Sequence, residues 1–203
     1  MKHKEQKVLV LFDVQNLYYS AKHLYNTKVN FKAILNKAVS GRKLIRAIAY
    51  AITTENKEET VFHGALESIG IEVKAKEIQI FYGGAKKGDW DIGIAMDAVR
   101  IAPKVDTVVI VSGDGDFKDL LAYLKSHGCR TEVIAFNKTA SRFIKEEADD
   151  FFDLESQPEL FLFDAKKQHS KQRDNKQLQN KQTTNKQKQQ NKNLNTHSLL
   201  ARK

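Results

Sequence analysis

Three short acidic motifs define the chemistry open to this chain: Asp13-Val14-Gln15-Asn16, Lys86-Lys87-Gly88-Asp89-Trp90-Asp91 and Ser112-Gly113-Asp114-Gly115-Asp116. Asp114 and Asp116 stand two residues apart, so beside a third carboxylate their like charges repel unless a cation neutralises them. Carboxylates converging without a counterbalancing Arg select a hard, oxygen-liking ion such as Mg²⁺ or Mn²⁺. Such an ion lowers the pKa of bound water and offsets charge on a leaving oxygen, as phosphodiester hydrolysis requires. The acids of these three motifs are the candidate ligands, and Ser112 and Asn16 could orient water or a phosphate oxygen. Lys86 and Lys87 are suited to attract a nucleic-acid backbone, and Trp90 to stack on a base or, equally, to pack beside a helix start. Asp97 lies about 240° round an ideal helix from Asp91, so a supporting or salt-bridging role suits it better than a shared ion. An Asp after a strand also reads as a helix cap or turn residue; this is an even alternative for Asp13 or Asp116 taken singly and the better one for Asp89.

These residues need a scaffold that brings them to one edge. Apolar, β-rich runs fall at Val8–Phe12, Leu44–Ile52, Ile71–Phe81, Val105–Val111 and Thr131–Phe136. Helical patterns fall between them, at Gln15–Tyr25, Asn30–Val39, Lys57–Ile69, Asp89–Ala102, Asp116–His127 and Thr139–Glu147. Gly41, Gly70 and Gly128 follow three of these helices, where a left-handed residue is wanted. Strands and helices alternating at this spacing imply right-handed crossovers, hence an α/β three-layer sandwich with a mainly parallel central sheet. In such a sheet the working crevice lies beyond the carboxyl ends of the strands. The first and third motifs directly follow strands, and the second opens the helix leading into the fourth.

Charge divides the chain unevenly. The 203 residues carry a formal net charge of +9, yet residues 1–155 hold 23 basic and 22 acidic side chains while 156–203 hold 11 and 3. The expected organisation is one folded domain over 1–155, a docking or linker segment over 156–165, and a disordered basic Lys/Gln/Asn-rich tail over 166–203. Cys129 alone makes neither a disulfide nor a Cys-based zinc site and reads as a small buried hydrophobe, and the six histidines show no ligand spacing. The apolar stretch near the start is too short for a signal peptide, and no apolar run approaches the roughly 20 residues of a membrane span. The expectation is a soluble cytoplasmic protein.

Rival motifs fit less well. Gly83-Gly84-Ala85-Lys86-Lys87-Gly88-Asp89 lacks the Gly-Lys-Ser/Thr ending of a phosphate loop, and Asp114-Gly115-Asp116 lacks the rest of a calcium loop. A dehalogenase-type phosphatase shares the post-strand Asp and the downstream Gly-Asp-Gly, but it needs an Asp where this chain has Gln15. The first strand is not followed by the Gly-rich turn of a dinucleotide fold.

The set Phe12-Asp13-Val14-Gln15-Asn16-Leu17, Lys87-Gly88-Asp89-Trp90-Asp91-Ile92 with Asp97, and Val108 through Phe117 resembles the NYN domain, specifically its bacterial LabA-like branch, over about residues 7–153. The resemblance implies a PIN-like nuclease fold whose acidic pocket binds one or two divalent metals and acts on RNA. By position it carries the family's acidic set onto Asp13, Asp91, Asp114 and Asp116, and its polar partner onto Asn16. Asp91 is preferred to Asp89 because Ile92 then matches the family's following aliphatic residue. The function expected is a divalent-metal-dependent ribonuclease (Mg²⁺ or Mn²⁺) hydrolysing single-stranded RNA, with no membrane partner and a homodimer left open. The alternative is a non-catalytic RNA-binding or regulatory adaptor on the same fold.

Overall fold

A computed structural model describes residues 3–53, 57–77, 79–80, 86–87 and 89–163, with backbone alone at 57, 79–80 and 86–87. The tail expected over 166–203 lies outside the described residues, as does Gly88. The strands are β1 (Lys7–Asp13), β2 (Lys43–Thr53), β3 (Glu72–Glu77), β4 (Gln79–Ile80), β5 (Lys86–Lys87), β6 (Thr107–Val111), β7 (Arg130–Ala135) and β8 (Asp150–Asp153). The helices are α1 (Val14–Tyr25), α2 (Phe31–Val39), α3 (Lys57–Ser68), α4 (Asp91–Ile101), α5 (Lys118–Ser126), α6 (Arg142–Glu147) and α7 (Pro158–Phe161).

Six strands form one sheet in the order β3-β2-β1-β6-β7-β8, and every neighbouring pair is parallel. Val8–Phe12 in β1 and Val108–Val111 in β6 are essentially inaccessible to solvent, as central strands covered on both faces must be. Strand periodicity sends Leu9 and Leu11 into one layer, with Ile94 and Ala98 of α4 and Leu121 and Leu124 of α5. The alternate residue Phe12 faces the other layer, where its ring meets Phe31 of α2 with centroids 5.8 Å apart. Beneath that layer the buried Arg42 guanidinium donates to both carboxylate oxygens of Glu132 at 2.9 Å, joining the turn after α2 to β7.

Chain order explains the crevice. From β1 the chain moves to β2 and β3 on one side, and from β6 to β7 and β8 on the other. The carboxyl ends of β1 and β6 are therefore the topological switch point, where the following connections part and leave room for a ligand. Gly41, Gly70 and Gly128 all have positive φ, as the helix ends require, and Asn26 and Ser40 join them as left-handed caps of α1 and α2.

Several boundaries differ from expectation. The single strand expected over Ile71–Phe81 ends at Glu77, and Gln79–Ile80 pairs instead antiparallel with Lys86–Lys87 in a separate two-stranded ribbon. The strand expected from Val105 starts at Thr107, because Pro103 favours a 3₁₀ turn over Ala102–Lys104. A sixth strand, Asp150–Asp153, was not expected: its Asp-Phe-Phe-Asp sequence is half-buried throughout and shows no alternation. The segment after it packs through the buried Phe161, and Leu162 forms an antiparallel bridge with Val29. No described helix is long and apolar enough to cross a membrane.

Candidate metal centre at the switch point

Asp13 closes β1 and caps α1: one carboxylate oxygen accepts from the Asn16 amide at 3.0 Å. The other accepts from the Ser112 hydroxyl at 3.0 Å, across the gap between β1 and β6. Ser112 is fully buried, and its Oγ also accepts from the Asp114 amide at 3.2 Å. Asn16 spans the same gap, its Oδ1 accepting from the Gly113 amide at 2.9 Å. The cap reading and the site reading of Asp13 are thus compatible, since capping one oxygen fixes the carboxylate at the crevice.

The third motif also differs locally from expectation. The helix expected from Asp116 begins at Lys118, after a 3₁₀ turn over Gly115–Phe117 that Asp114 caps by accepting from the Asp116 amide at 3.0 Å. The turn seats both carboxylates at the same rim. Across the crevice, Trp90 rather than Asp89 stands at the cap position of α4, with no side-chain cap hydrogen bond, and the half-buried Asp91 falls in the first turn. Carboxylate oxygens of Asp91, Asp114 and Asp116 come within 4.8 Å of one another.

Electrostatics follow from this convergence. Burial, then the charges of Asp114, Asp13, Asp89 and Asp116, pushes the Asp91 carboxyl up to about 6. Burial also raises Asp13, against the hydrogen bonds from Asn16 and Ser112 that favour its ionised form. Among the described residues no Lys or Arg forms an ion pair with any of these four acids. Three close carboxylates, with a fourth raising the local negative charge, fit a hard divalent cation, which would relieve the repulsion they now bear. Asp91, Asp114 and Asp116 would hold it, and Asp13 stands beside them.

The other nominated residues divide. Asp97 is not among the three converging acids: its buried carboxylate accepts from Tyr50 at 2.7 Å and Lys74 at 2.5 Å, with Arg100 at 3.4 Å. Burial alone would push that carboxyl up, but the hydrogen bonds from Lys74 and Tyr50 and the charges of Lys74 and Arg100 hold it below the ordinary Asp value. Trp90 is half-buried, donates its indole N–H to the Ala51 carbonyl at 2.8 Å, and meets the Tyr50 ring edge-on at 5.3 Å. Lys76 covers it at 4.7 Å and donates to the Asp89 carbonyl. The indole is thereby tied to β2 and the core. Lys86 and Lys87 form β5, but their side chains lie outside the described residues. Cys129 is buried, with Sγ 3.5 Å from the Ala102 carbonyl.

Three contributors had no clear signal in the sequence. A Cβ on Gly113 would lie 2.9 Å from Ala140 Cα, and one on Gly115 would lie 2.7 Å from Ser141 Oγ. These glycines let the chain before α6 press against the acidic loop, an approach that depends on a partner about 25 residues away. Lys74, the main cation on Asp97, is an unremarkable residue of an alternating strand.

The fold is a parallel α/β sandwich with acids at its switch point, as the PIN-like resemblance implies. Residues 7–155 match the NYN domain, and the chain belongs to that family. It is 22% identical over 162 residues to the low amplitude and bright protein LabA of Synechococcus elongatus, covering 76% of this chain and 87% of LabA. Its fold is similar to a crystal structure of a Vibrio parahaemolyticus protein of unknown function: TM-score 0.73, 32% identity, 80% of this chain and 99% of that one.

Proposed function

We infer that the protein is a divalent-metal-dependent ribonuclease acting on single-stranded RNA in the cytoplasm, with Mg²⁺ or Mn²⁺ held by Asp91, Asp114 and Asp116. The observation that carries the reading is the meeting of Asp91, from the first turn of α4, with Asp114 and Asp116, from the end of β6, without a compensating cation among the described residues. A carboxylate held near pH 6 by burial and by like charges is costly to keep for packing alone. The bound ion would supply Lewis acidity toward a phosphoryl oxygen and a lowered pKa for water. Asp13, fixed by Asn16 and Ser112, presents a carboxylate in a set orientation for receiving a proton or positioning a water. Asn16 holds the Gly113 amide and with it the registry of the acidic loop. An open rim suits a single strand, whose phosphates are accessible without a groove to be read. Lys86 and Lys87 are proposed to attract its backbone.

The test is cleavage of end-labelled single-stranded RNA by purified full-length protein with Mg²⁺ or Mn²⁺. Cutting that needs the ion and is lost in both Asp91→Asn and Asp114→Asn supports the reading. Undiminished cutting in both variants defeats the assignment of the site, and metal binding without cutting favours the adaptor alternative.

A further inference from the structure

The Trp nominated for base stacking is tied down, but a different aromatic is presented beside the acidic loop. Phe143, in the first turn of α6, is 49% exposed, and no aromatic ring among the described residues packs on it. Two cations flank its ring: the Arg142 guanidinium carbon lies 5.1 Å and the Lys118 ammonium 5.8 Å from the centroid. Both are exposed, and neither forms an ion pair with a described residue.

This group is built onto the candidate metal centre. Lys118 lies two residues after Asp116 and opens α5. The Ser141 amide donates to the Gly113 carbonyl at 2.9 Å, and the Phe143 amide donates to Ser141 Oγ at 3.3 Å. The bare α-carbons of Gly113 and Gly115 bring Ala140 and Ser141 against the loop that carries Asp114 and Asp116. The ring and the carboxylates therefore share one rigid support. Tyr18 and Tyr19 are also exposed, but their rings pack edge-on against each other, and one cation, Lys22, lies over Tyr18.

Resting on the ribonuclease reading, we propose that Phe143, Arg142 and Lys118 form a nucleotide-binding platform, with one base of the single strand stacked on Phe143 and its adjoining phosphates held by Arg142 and Lys118. The chemistry selects this occupant. A strand brought to an acidic pocket needs cations beside that pocket to offset repulsion of its phosphates. A flat base covers the exposed ring while its phosphates meet both cations. An apolar protein surface on the same ring would desolvate two charges without pairing them.

The experiment uses full-length protein carrying Asp91→Asn, which blocks cutting from the opposite side of the crevice, and a fluorescent single-stranded RNA of about 12 nucleotides, within the usual length of such sites. Phe143→Ala is expected to weaken binding about tenfold, the usual effect of removing one stacking aromatic, while Phe143→Trp retains it. Replacing Lys118 and Arg142 by Gln should lower the salt dependence of log Kd by about 0.7 per lost contact. An RNA carrying 2-aminopurine at successive positions should show quenching at one position in the Phe143 protein and none in Phe143→Ala. With an abasic ribose at that position, Phe143→Ala should no longer weaken binding.

The proposal is overturned if RNA does not bind, if Phe143→Ala changes Kd less than about twofold at unchanged Tm, if its effect persists on the abasic RNA, or if it abolishes self-association while sparing RNA. Stacking without cutting by the otherwise unaltered chain would defeat the ribonuclease reading and leave the platform standing. Cutting with KM unaltered by Phe143→Ala would do the reverse.

Discussion

Ser112 donates its hydroxyl to Asp13 at 3.0 Å, joining the carboxyl ends of the two central strands through a side chain that has no contact with solvent. Since the same oxygen accepts from the Asp114 amide, one hydroxyl sets the spacing between the acid after β1 and the acid after β6. Residues 99 positions apart in sequence thereby act as one unit.

Ser112→Ala removes this link without adding bulk. Asp13, already raised by burial, loses a donor that favours its charged form. Deleting a buried hydrogen bond to a carboxylate is expected to cost about 1–3 kcal/mol, read as a lower urea midpoint at unchanged slope. In the ribonuclease assay we expect at least a tenfold loss, because the carboxylate becomes free to rotate away from the pocket. A variant with native stability and native cutting would show that Asp13 is positioned by Asn16 alone.

Asp91 gives a stability effect of opposite sign. Its folded-state pKa of about 6 lies above the ordinary Asp value of 3.8, so the metal-free fold binds the proton more tightly than the unfolded chain does. That contribution is complete below pH 3.8 and is lost as pH rises through about 6. Asp91→Asn, which removes the repelling charge, should raise the metal-free Tm at pH 7 by a few degrees, and the gain should shrink as pH falls toward 4. Added Mg²⁺ or Mn²⁺ should raise the Tm of the unsubstituted protein more than that of Asp91→Asn. Equal responses to the ion would remove Asp91 from the ligand set.

Much of this was legible in the sequence because it depends on local pattern. The β-rich runs of β1 and β6 and the acids directly after them place Asp13 and Asp114 at one edge once the strands are parallel. What was not legible depends on distant partners. The match of Ile92 already preferred Asp91 to Asp89, but the physical reason lies outside that motif: α4 starts at Asp91, and Trp90 before it anchors its indole to the Ala51 carbonyl. Phe143 falls inside the helix expected over Thr139–Glu147, which starts only at Arg142, and nothing in that pattern marks it as facing solvent. Asp150–Asp153 joins the sheet because β7 offers it an edge, which nothing in its own composition announces.

Asp97 is paired with cations, whereas Asp91, Asp114 and Asp116 form no ion pair among the described residues. Asp97→Asn weakens a buried bond from Tyr50 and a part-buried one from Lys74, and should cost about 1–3 kcal/mol. Because its pKa is held below 3.8, its ion-pair contribution is present above that value and lost as pH falls through the lower folded-state value. Metal affinity measured by calorimetry should change less than about threefold. A larger loss would place Asp97 in electrostatic communication with the pocket.

Gly113 and Gly115 allow the closest approach between the acidic loop and the chain before α6, yet their substitution should behave differently. A Cβ on Gly115 meets Ser141 Oγ at 2.7 Å and Cβ at 3.0 Å, both side-chain atoms. A Cβ on Gly113 meets Ala140 Cα at 2.9 Å and its amide nitrogen at 3.4 Å, backbone atoms that stay whatever the side chain, besides Ala140 Cβ at 3.2 Å. Each single Gly→Ala should destabilise by about 1–3 kcal/mol through overpacking. Pairing Gly115→Ala with Ser141→Gly removes the obstructing atoms and should recover part of that loss, whereas pairing Gly113→Ala with Ala140→Gly leaves the backbone in place and should not. Urea midpoints of the four variants decide this. Rescue of both pairs would mean that the loop yields to a methyl group, and the spacing between Asp114 and the α6 segment would then be adjustable rather than fixed by backbone contact.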